Sequence, residues 1–564
     1  MQRFLLTAVS LALLLTGCNR EQQQAVSGTE PVPATPTYFE TVPADSPYLY
    51  ASLEPTPVEV IDYFIGKSQP MIDEAQAQLS SELARLESDG SEHALLGKAI
   101  LAEFDGKLSR EGLESLGFSM QANFLAYGYG PFPVVRIGIG DAGLIRETVS
   151  RVVAKTGHEL PAESLNGTEF WRIAAEEMGV VIAVLEDHVV FSILPADLVD
   201  SRLPELLNQQ QPAATLDVNA AIGALNADNG YTPHGSGYID FGVLTSLILD
   251  GDSPEALAMN ELINKGDAPL TEECKTEIAS IASQFERLET GYTQLSTQSI
   301  GFGVALDLEE SLASQLAALT VAGIGFNQDP GGLASFALGF DLMQLREWIM
   351  QIAAARNANP YVCEHLQDLN QQFVQVQDQV NQPIPPFIGN FMGFRGRLDS
   401  VDMSTGEPTD VKGVFALATS NPEMLLGMAQ MFLPSMAELT VTKNSDPVAL
   451  PLVGLPVPEG IENPHIAMSD NGLGISLGEG AEAGLNDFLS NNGSDTGTVF
   501  ALGWDFGFYM EQVTGAMARG MTDSMADIVE PDAMKFYTDL IDRQYNEIRL
   551  TNQGVEASQV VTFK

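Results

Sequence analysis

The sequence is poor in positive charge. Its 564 residues include 27 Lys and Arg against 75 Asp and Glu, and the formal net charge is −48 at pH 7. Such a surface repels the phosphates of nucleic acids and anionic lipid headgroups. We therefore expect no nucleic-acid partner. A solvated acidic surface is our main interpretation, and a basic partner or a polycation is the alternative.

Residues that could hold a metal or form a nucleophile–base pair are also scarce. The six histidines have no HxH or HExxH spacing, and no cysteine belongs to a CxxC pair. We therefore predict no metal, no cofactor and no catalytic residue. The turn of a predicted hairpin contains one of the six, His188, which we expect to be exposed. The histidines are His93, His158, His188, His234, His365 and His465.

The first 18 residues carry an export signal. Arg3 precedes an apolar run over 4–15, and small residues lead to Cys18, so residues 1–17 are predicted to be a signal peptide. The run Leu-Thr-Gly-Cys resembles the bacterial lipobox. That resemblance implies that Cys18 is acylated and anchors the chain to a lipid bilayer. An ordinary secretory signal with a chance cysteine, or a membrane anchor, is the alternative.

The residues that follow are predicted to be a flexible tether. The stretch from Asn19 to Glu40 is rich in Gln, Pro, Thr and Ala and lacks apolar periodicity. With Cys18 it forms the predicted tether over 18–40. Asn19 resembles the sorting signal of lipoproteins that are transferred to the outer membrane. We therefore expect the folded body to be held at the outer membrane, facing the periplasm.

Two cysteines remain after Cys18. Both Cys274 and Cys363 are expected in the first turn of a helix and in an oxidising compartment. A disulfide between them is the prediction, and two buried free thiols are the alternative.

Several segments of the chain recur in the same order. A hairpin predicted over 182–193 matches one over 466–477, and each precedes a short amphipathic helix. In the second hairpin, Asn471-Gly472 favours a type I′ turn, because both central residues of that turn need positive φ. Further matching pairs are 239–242 with 504–507, 294–300 with 549–555, 336–342 with 500–506, and 134–139 with 414–417.

This order predicts a tandem duplication. Repeat one would span 41–330 and repeat two 331–564. Each would carry strands of mixed or antiparallel sheet with covering helices, and a helical insertion at Pro70 to Phe104 or Trp348 to Val380. We therefore expect an α+β fold built from two pseudo-repeats.

The patterns that suggest chemistry have simpler interpretations. Asp240, Asp341 and Asp505 each stand where a predicted strand meets a helix, where a carboxylate caps free N–H groups. Gly474-Ile-Ser476-Leu-Gly478 fits the G-x-S-x-G of a nucleophile elbow. However, Ser476 falls in a hairpin arm, and no histidine follows His465. We therefore assign no catalytic role to these residues.

The segments 43–48 and 127–136 resemble those of a group of uncharacterised proteobacterial envelope proteins. The resemblance implies an envelope address and transfers no activity. Our leading hypothesis is a non-enzymatic protein that binds an apolar ligand or another envelope protein. The alternative is an envelope hydrolase that assembles Ser476 or Ser236 with a distant histidine and acid.

Overall fold

The architecture is taken from a computed structural model. The structure describes residues 36–86, 98–99, 101–156, 162–175, 177–263, 270–326, 328–384, 388–403, 408–451, 461–490, 497–518 and 531–564. The predicted signal peptide and Cys18 lie outside these residues.

The described residues form one antiparallel sheet of 19 strands. From one edge to the other, the strand order is 4-5-6-7-3-2-1-8-9-10-19-18-17-11-12-13-16-15-14. The strands are β1 Tyr48–Ala51, β2 Phe124–Tyr129, β3 Phe132–Gly138, β4 Glu163–Leu165, β5 Thr168–Ala175, β6 Met178–Val184, β7 His188–Pro195, β8 Ser236–Asp240, β9 Phe285–Leu295, β10 Ser299–Leu308, β11 Ala334–Gly339, β12 Phe391–Asp402, β13 Thr409–Thr419, β14 Val448–Ala449, β15 His465–Met468, β16 Gly472–Leu477, β17 Thr498–Asp505, β18 Ile541–Leu550 and β19 Gly554–Phe563.

Helices join and cover the strands, so the predicted α+β class is confirmed. The α-helices are α1 Val58–Leu86, α2 Arg110–Glu114, α3 Ala142–Thr156, α4 Ala196–Leu206, α5 Val218–Asn229, α6 Phe241–Asp250, α7 Pro254–Ile263, α8 Glu272–Ala282, α9 Glu310–Ala317, α10 Leu342–Ala358, α11 Gln367–Val380, α12 Pro422–Phe432, α13 Leu485–Ser490, α14 Phe506–Ala518 and α15 Pro531–Leu540. Short 3-10 helices lie at Thr37–Thr41, Glu364–Leu366, Ile388–Asn390, Pro434–Met436 and Ala481–Gly484.

The three aspartates cap helices, as predicted. The Asp240 Oδ1 atom accepts a hydrogen bond from the Val243 amide at 3.0 Å, at the start of α6. Asp341 accepts from two amides at the start of α10. Asp505 accepts from Phe508 N at 2.7 Å, at the start of α14. Each carboxylate satisfies amides that have no partner within the helix, so these residues are accounted for structurally.

The predicted tether ends too late. Residues 37–41 form a 3-10 helix, in which Tyr38 and Phe39 are each only 2 % exposed. Both rings join the largest hydrophobic core, together with strand residues such as Leu125 and Val190. The boundary at residue 40 is therefore wrong. Burying the two aromatic rings in the core is more favourable in free energy than leaving them in a solvated tether.

Both predicted hairpins form, but the turn type expected for the second is wrong. In the β15–β16 hairpin, Ser469 N donates to Gly472 O at 2.9 Å, and neither Asn471 nor Gly472 has positive φ. A type I′ turn is therefore excluded. The glycine meets a packing requirement instead, since a Cβ atom on Gly472 would lie 3.1 Å from Leu417 O.

A disulfide joins α8 to the segment between α10 and α11. Cys274 and Cys363 pair as predicted from the sequence, across a sequence separation of 89 residues. Beside the bond, both carboxylate oxygens of Glu277 accept hydrogen bonds, from Val362 N at 2.8 Å and Cys363 N at 2.9 Å. The α10–α11 hairpin is thereby fastened to the part of the chain that precedes β9.

Replacing both cysteines with serine should loosen this hairpin. The cross-link restricts the unfolded chain, so we expect Cys274→Ser/Cys363→Ser to lower the free energy of unfolding by about 2–4 kcal/mol. We also expect faster hydrogen exchange in peptides from 342–380, with β1–β3 unchanged. The wild-type protein under reducing conditions is the control and should behave like the variant. Unchanged exchange over 342–380 would contradict the prediction.

Candidate ligand cavity and the buried arginines

Two buried arginines lie on the same face of the sheet. Residues directly opposite each other in an antiparallel pair share a face. A continuous row of such partners joins Arg136 on β3 to Arg395 on β12, so we call this side the arginine face. The row runs Arg136, Leu125, Ala51, Ser236, Gly291, Gly303, Ser558, Glu547, Ala501, Ala337, Arg395.

Each arginine holds the end of a helix that follows a hairpin. The Arg136 guanidinium donates to the carbonyl of Glu205, near the end of α4. The Arg395 guanidinium donates to the carbonyl of Phe488, in α13. The last carbonyls of a helix lack partners within the helix and carry partial negative charge. A cation on the sheet beneath each helix is therefore favourable.

Arg136 is enclosed by its partners. It is 0 % exposed, and it donates to Tyr127 Oη at 3.3 Å and Asn208 Oδ1 at 2.9 Å as well as to Glu205. Its Nη1 atom lies 2.8 Å from His188 Nε2. A guanidinium group only donates hydrogen bonds, so His188 Nε2 must accept one from Arg136. The proton of the neutral imidazole is therefore on Nδ1. The His188 Nδ1 atom lies 2.6 Å from Asp187 Oδ1.

His188 is therefore buried, and the expectation that it is exposed is wrong. Its side chain has 0 % exposure, and the Tyr38 ring lies 4.5 Å from the imidazole between centroids. Burial and the neighbouring Arg136 charge lower the pKa of His188 to about 4, although Asp187 opposes this. In the sequence, the adjacent aromatic residues Tyr38 and Phe39 indicated that this segment is buried, and Tyr38 packs against His188.

Asp187 completes the network at the surface. Burial tends to raise the pKa of Asp187, but hydrogen bonds from His188 and Thr37 lower it below its usual value. The Thr37 hydroxyl donates to Asp187 Oδ2 at 3.0 Å. This Asp–His pair thus binds an arginine and a threonine. The described residues that contact this pair include no serine or cysteine nucleophile, and the network has the composition of a structural one.

Arg395 has a different environment from Arg136. It is 5 % exposed, and its guanidinium carbon lies 4.9 Å from the centroid of the Phe488 ring. Burial lowers the pKa of Arg395 to about 10. A buried cation of this kind is costly unless nearby groups stabilise it. Here the stabilising groups include a helix carbonyl and an aromatic face.

A cavity of about 530 Å³ opens beside Arg395, between β12–β13 and α13. Its less polar lining consists of Gly325, Phe326, Pro330, Val414, Gly484 and Phe488. Its polar lining consists of Gln328, Arg395, Arg397 and Asp487. This volume falls within the roughly 300–1,000 Å³ typical of small-molecule sites. The wall combines an apolar part with a larger polar part, to which two arginines contribute.

The cavity has a buried end and an open end. Val414 is 2 % exposed and Phe326 9 %, so they and Arg395 form the inner wall. Gln328, Gly484 and Asp487 are exposed and mark the opening. Arg397 is partly exposed, and its Nε atom lies 2.7 Å from Asp399 Oδ1.

The serines considered for a hydrolase do not meet a histidine. Ser476 lies inside β16, is 0 % exposed, and its Oγ has no hydrogen-bond partner, although His465 faces it on β15. The Ser236 Oγ donates to Asn226. The glycines of the G-x-S-x-G pattern have packing roles. A Cβ on Gly474 would lie 2.9 Å from Leu485 and Leu489 of α13, and Gly478 has a φ of +85°. The elbow interpretation is therefore excluded.

Within the described ranges, no cluster of three or more His, Cys, Asp or Glu side chains could hold a metal ion. Nor does any helix in these ranges combine the length and the apolar character needed to cross a membrane.

Comparisons with known proteins add little. No family model matches the sequence, and no curated protein matches it. A solved structure described as "Structure of crystal form III of TP0453" aligns with 52 % of this chain and 90 % of its own, with 12 % identity and a TM-score of 0.22. Similarity at this level carries no argument about fold or function.

The His188 network should make stability depend on pH. The folded-state pKa of about 4 lies below the unfolded value of 6.5. The contribution of neutral His188 to the free energy of unfolding is therefore complete above about pH 6.5. It is lost as the pH falls towards 4, by about 3 kcal/mol in total. Urea denaturation near pH 7 and near pH 4.5 should show this loss in the wild type, and His188→Gln should reduce it.

The matched control is His365→Gln, because the His365 side chain is 53 % exposed. It should keep the wild-type dependence on pH. If His188→Gln keeps it as well, the network does not cause the loss.

Proposed function

We propose that the protein is an envelope lipoprotein, anchored in the outer membrane through acylated Cys18, whose periplasmic body binds a small apolar ligand. The observation that carries the binding part is the cavity of about 530 Å³ between β12–β13 and α13. The anchoring part is supported by the export signal and the lipobox resemblance at residues 1–18.

The cavity wall supports binding rather than hydrolysis. Among the described residues that line the cavity there is neither a serine nor a histidine. Phe326 and Phe488 lie 6.3 Å apart between ring centroids, and Val414 lies at the inner wall, so part of the cavity wall is apolar. Burying such a surface against a ligand is favourable in proportion to the area removed from water.

We also propose that the two halves of the sheet arose by tandem duplication of one unit. Outward from the β10–β19 pair, the order on one side is β9, β8, β1, β2, β3, β7, β6. On the other side it is β18, β17, β11, β12, β13, β16, β15. Each of these strands thus has a counterpart at the same distance from the centre. The recurring segments 239–242 and 504–507, 134–139 and 414–417, and the two hairpins over 182–193 and 466–477 lie on counterpart strands. The ligand cavity belongs to the second half.

A protein partner is the second candidate, and one observation favours it. The α10–α11 hairpin carries an apolar groove of about 260 Å³, whose lining includes Trp348, Ile352 and Phe373. Ile352 is 37 % exposed, and Val374 on the same hairpin is 50 % exposed. Exposed apolar surface of this kind is common at sites of protein association.

A cavity-filling variant tests ligand binding. A Cβ on Gly484 would have no atom within 4 Å, so Gly484→Trp can place an indole at the opening without displacing the backbone. We expect residues 19–564 to bind the uncharged fluorescent probe N-phenyl-1-naphthylamine saturably. Gly484→Trp should weaken this binding about tenfold or more. Native mass spectrometry of residues 19–564, exported without Cys18 and purified gently from periplasm, should show an added mass of lipid size on the wild type only.

The matched control is Gly427→Trp, since a Cβ on Gly427, in α12, also has no atom within 4 Å. It should bind the probe like the wild type. Saturable binding that Gly484→Trp leaves unchanged would place the site elsewhere. The absence of both probe binding and added mass would refute the ligand proposal, and chemical cross-linking in cells would then test the protein-partner candidate.

A further inference from the structure

The cavity contains a feature that an apolar ligand alone does not explain. Arg395 and Arg397 both line it, in a protein with a formal net charge of −48. They are two residues apart on β12, so they project from the same face with their Cα atoms about 7 Å apart. One anionic group between them could contact both guanidinium groups.

The need to anchor α13 does not by itself explain why Arg395 lines the cavity. Arg136 performs the same anchoring task for α4 while fully enclosed, with donor contacts to Tyr127, Asn208 and Glu205. Arg395 anchors α13 but also forms part of a cavity wall. The two halves therefore contain the same device, and in the second half the guanidinium is within reach of a bound molecule.

At its inner end the cavity favours an anion through Arg395, whereas carboxylates lie near Arg397 and at the opening. Asp399 pairs with Arg397 through two hydrogen bonds, of 2.7 and 3.3 Å. Asp487 is an exposed residue at the opening. Arg395 is on the inner side, where low exposure strengthens its attraction to a negative charge.

We propose that the ligand is a single-chain amphiphile with an anionic head, which Arg395 and Arg397 bind while its hydrocarbon chain packs on Phe326, Val414 and Phe488. This proposal rests on the proposed function, since it names the ligand class of the same cavity. Carboxylate and phosphate heads share the required chemistry, because both accept charge-assisted hydrogen bonds from a guanidinium. A free fatty acid and a lysophospholipid are the two sources of that chemistry.

The test compares ligands that differ in the head alone. Palmitate, lysophosphatidic acid with a palmitoyl chain, and 1-hexadecanol would each displace N-phenyl-1-naphthylamine from the wild-type body at neutral pH. At least one anionic ligand should bind about tenfold or more tightly than the alcohol. Whether palmitate or lysophosphatidic acid is preferred distinguishes the two sources.

Two variants test the arginines. Arg395→Met should bring the affinity for the preferred anion down to that for hexadecanol, with little change for the alcohol. If this variant does not fold, Arg397→Gln serves instead. It should reduce the ratio of the affinity for the anion to that for the alcohol several-fold. The control is Arg172→Gln on β5, which removes a comparable surface pair with Asp200 and should leave the preference unchanged.

The outcomes separate the two proposals. Equal affinity for acid and alcohol in the wild type would overturn the anionic head while leaving an apolar ligand in place. A preference that survives both Arg395→Met and Arg397→Gln would overturn the role of the arginines. If none of the three ligands displaces the probe, and the probe itself does not bind saturably, the proposed function fails.

Discussion

The pairing of β10 with β19 is the constraint on which the rest of the architecture depends. Ser299 to Asp307 face Gly554 to Thr562 in nine consecutive pairs. Among the described strands, this pair alone joins β1–β10 to β11–β19. Side chains alternate between faces, so a shift of one residue here would exchange the two faces of one half relative to the other. The register of this pair therefore places Arg136 and Arg395 on the same face.

This constraint is non-local. Residues near 300 must meet residues near 560, so a long segment is closed into a loop before the central contact can form. The disulfide and the contacts of α1 with β19 also hold these two parts of the chain together. Tyr63 and Phe64 of α1 lie 6.5 and 5.0 Å from the Phe563 ring between centroids. The final strand is thereby held by both its sheet partners and an early helix.

The sequence predicted the local elements well because their causes are local. Capping aspartates, hairpin arms and the fold class follow from patterns of a few residues, and the cysteine pair follows from composition and compartment. His188 and the segment at 37–41 were missed because their burial depends on each other across about 150 residues. The cavity was missed for a similar reason, since α13, β12 and the chain near 326 meet only in the folded sheet.

The G-x-S-x-G pattern shows why a motif needs its structural context. The glycine at 474 lets α13 approach β16 closely, and the glycine at 478 supplies positive φ. Both are requirements of packing, and they happen to flank Ser476. The same close approach of α13 brings the Phe488 carbonyl and ring to Arg395. A pattern that suggested catalysis thus contributes to the wall of the cavity.

A net charge of −48 and an anionic ligand are compatible because the two effects act over different distances. The general field of the acidic surface is screened beyond about 8 Å at physiological ionic strength, so it mainly slows the approach of an anion. A guanidinium in a cavity acts at contact distance, where little water remains to weaken it. The acidic surface therefore slows the approach of every anion, and an anion that lacks a chain to bury has less binding free energy to offset this. The proposed ligand, with both an anionic head and a hydrocarbon chain, would gain the contact with Arg395 and the contact with the apolar part of the wall together, which neither part would gain alone.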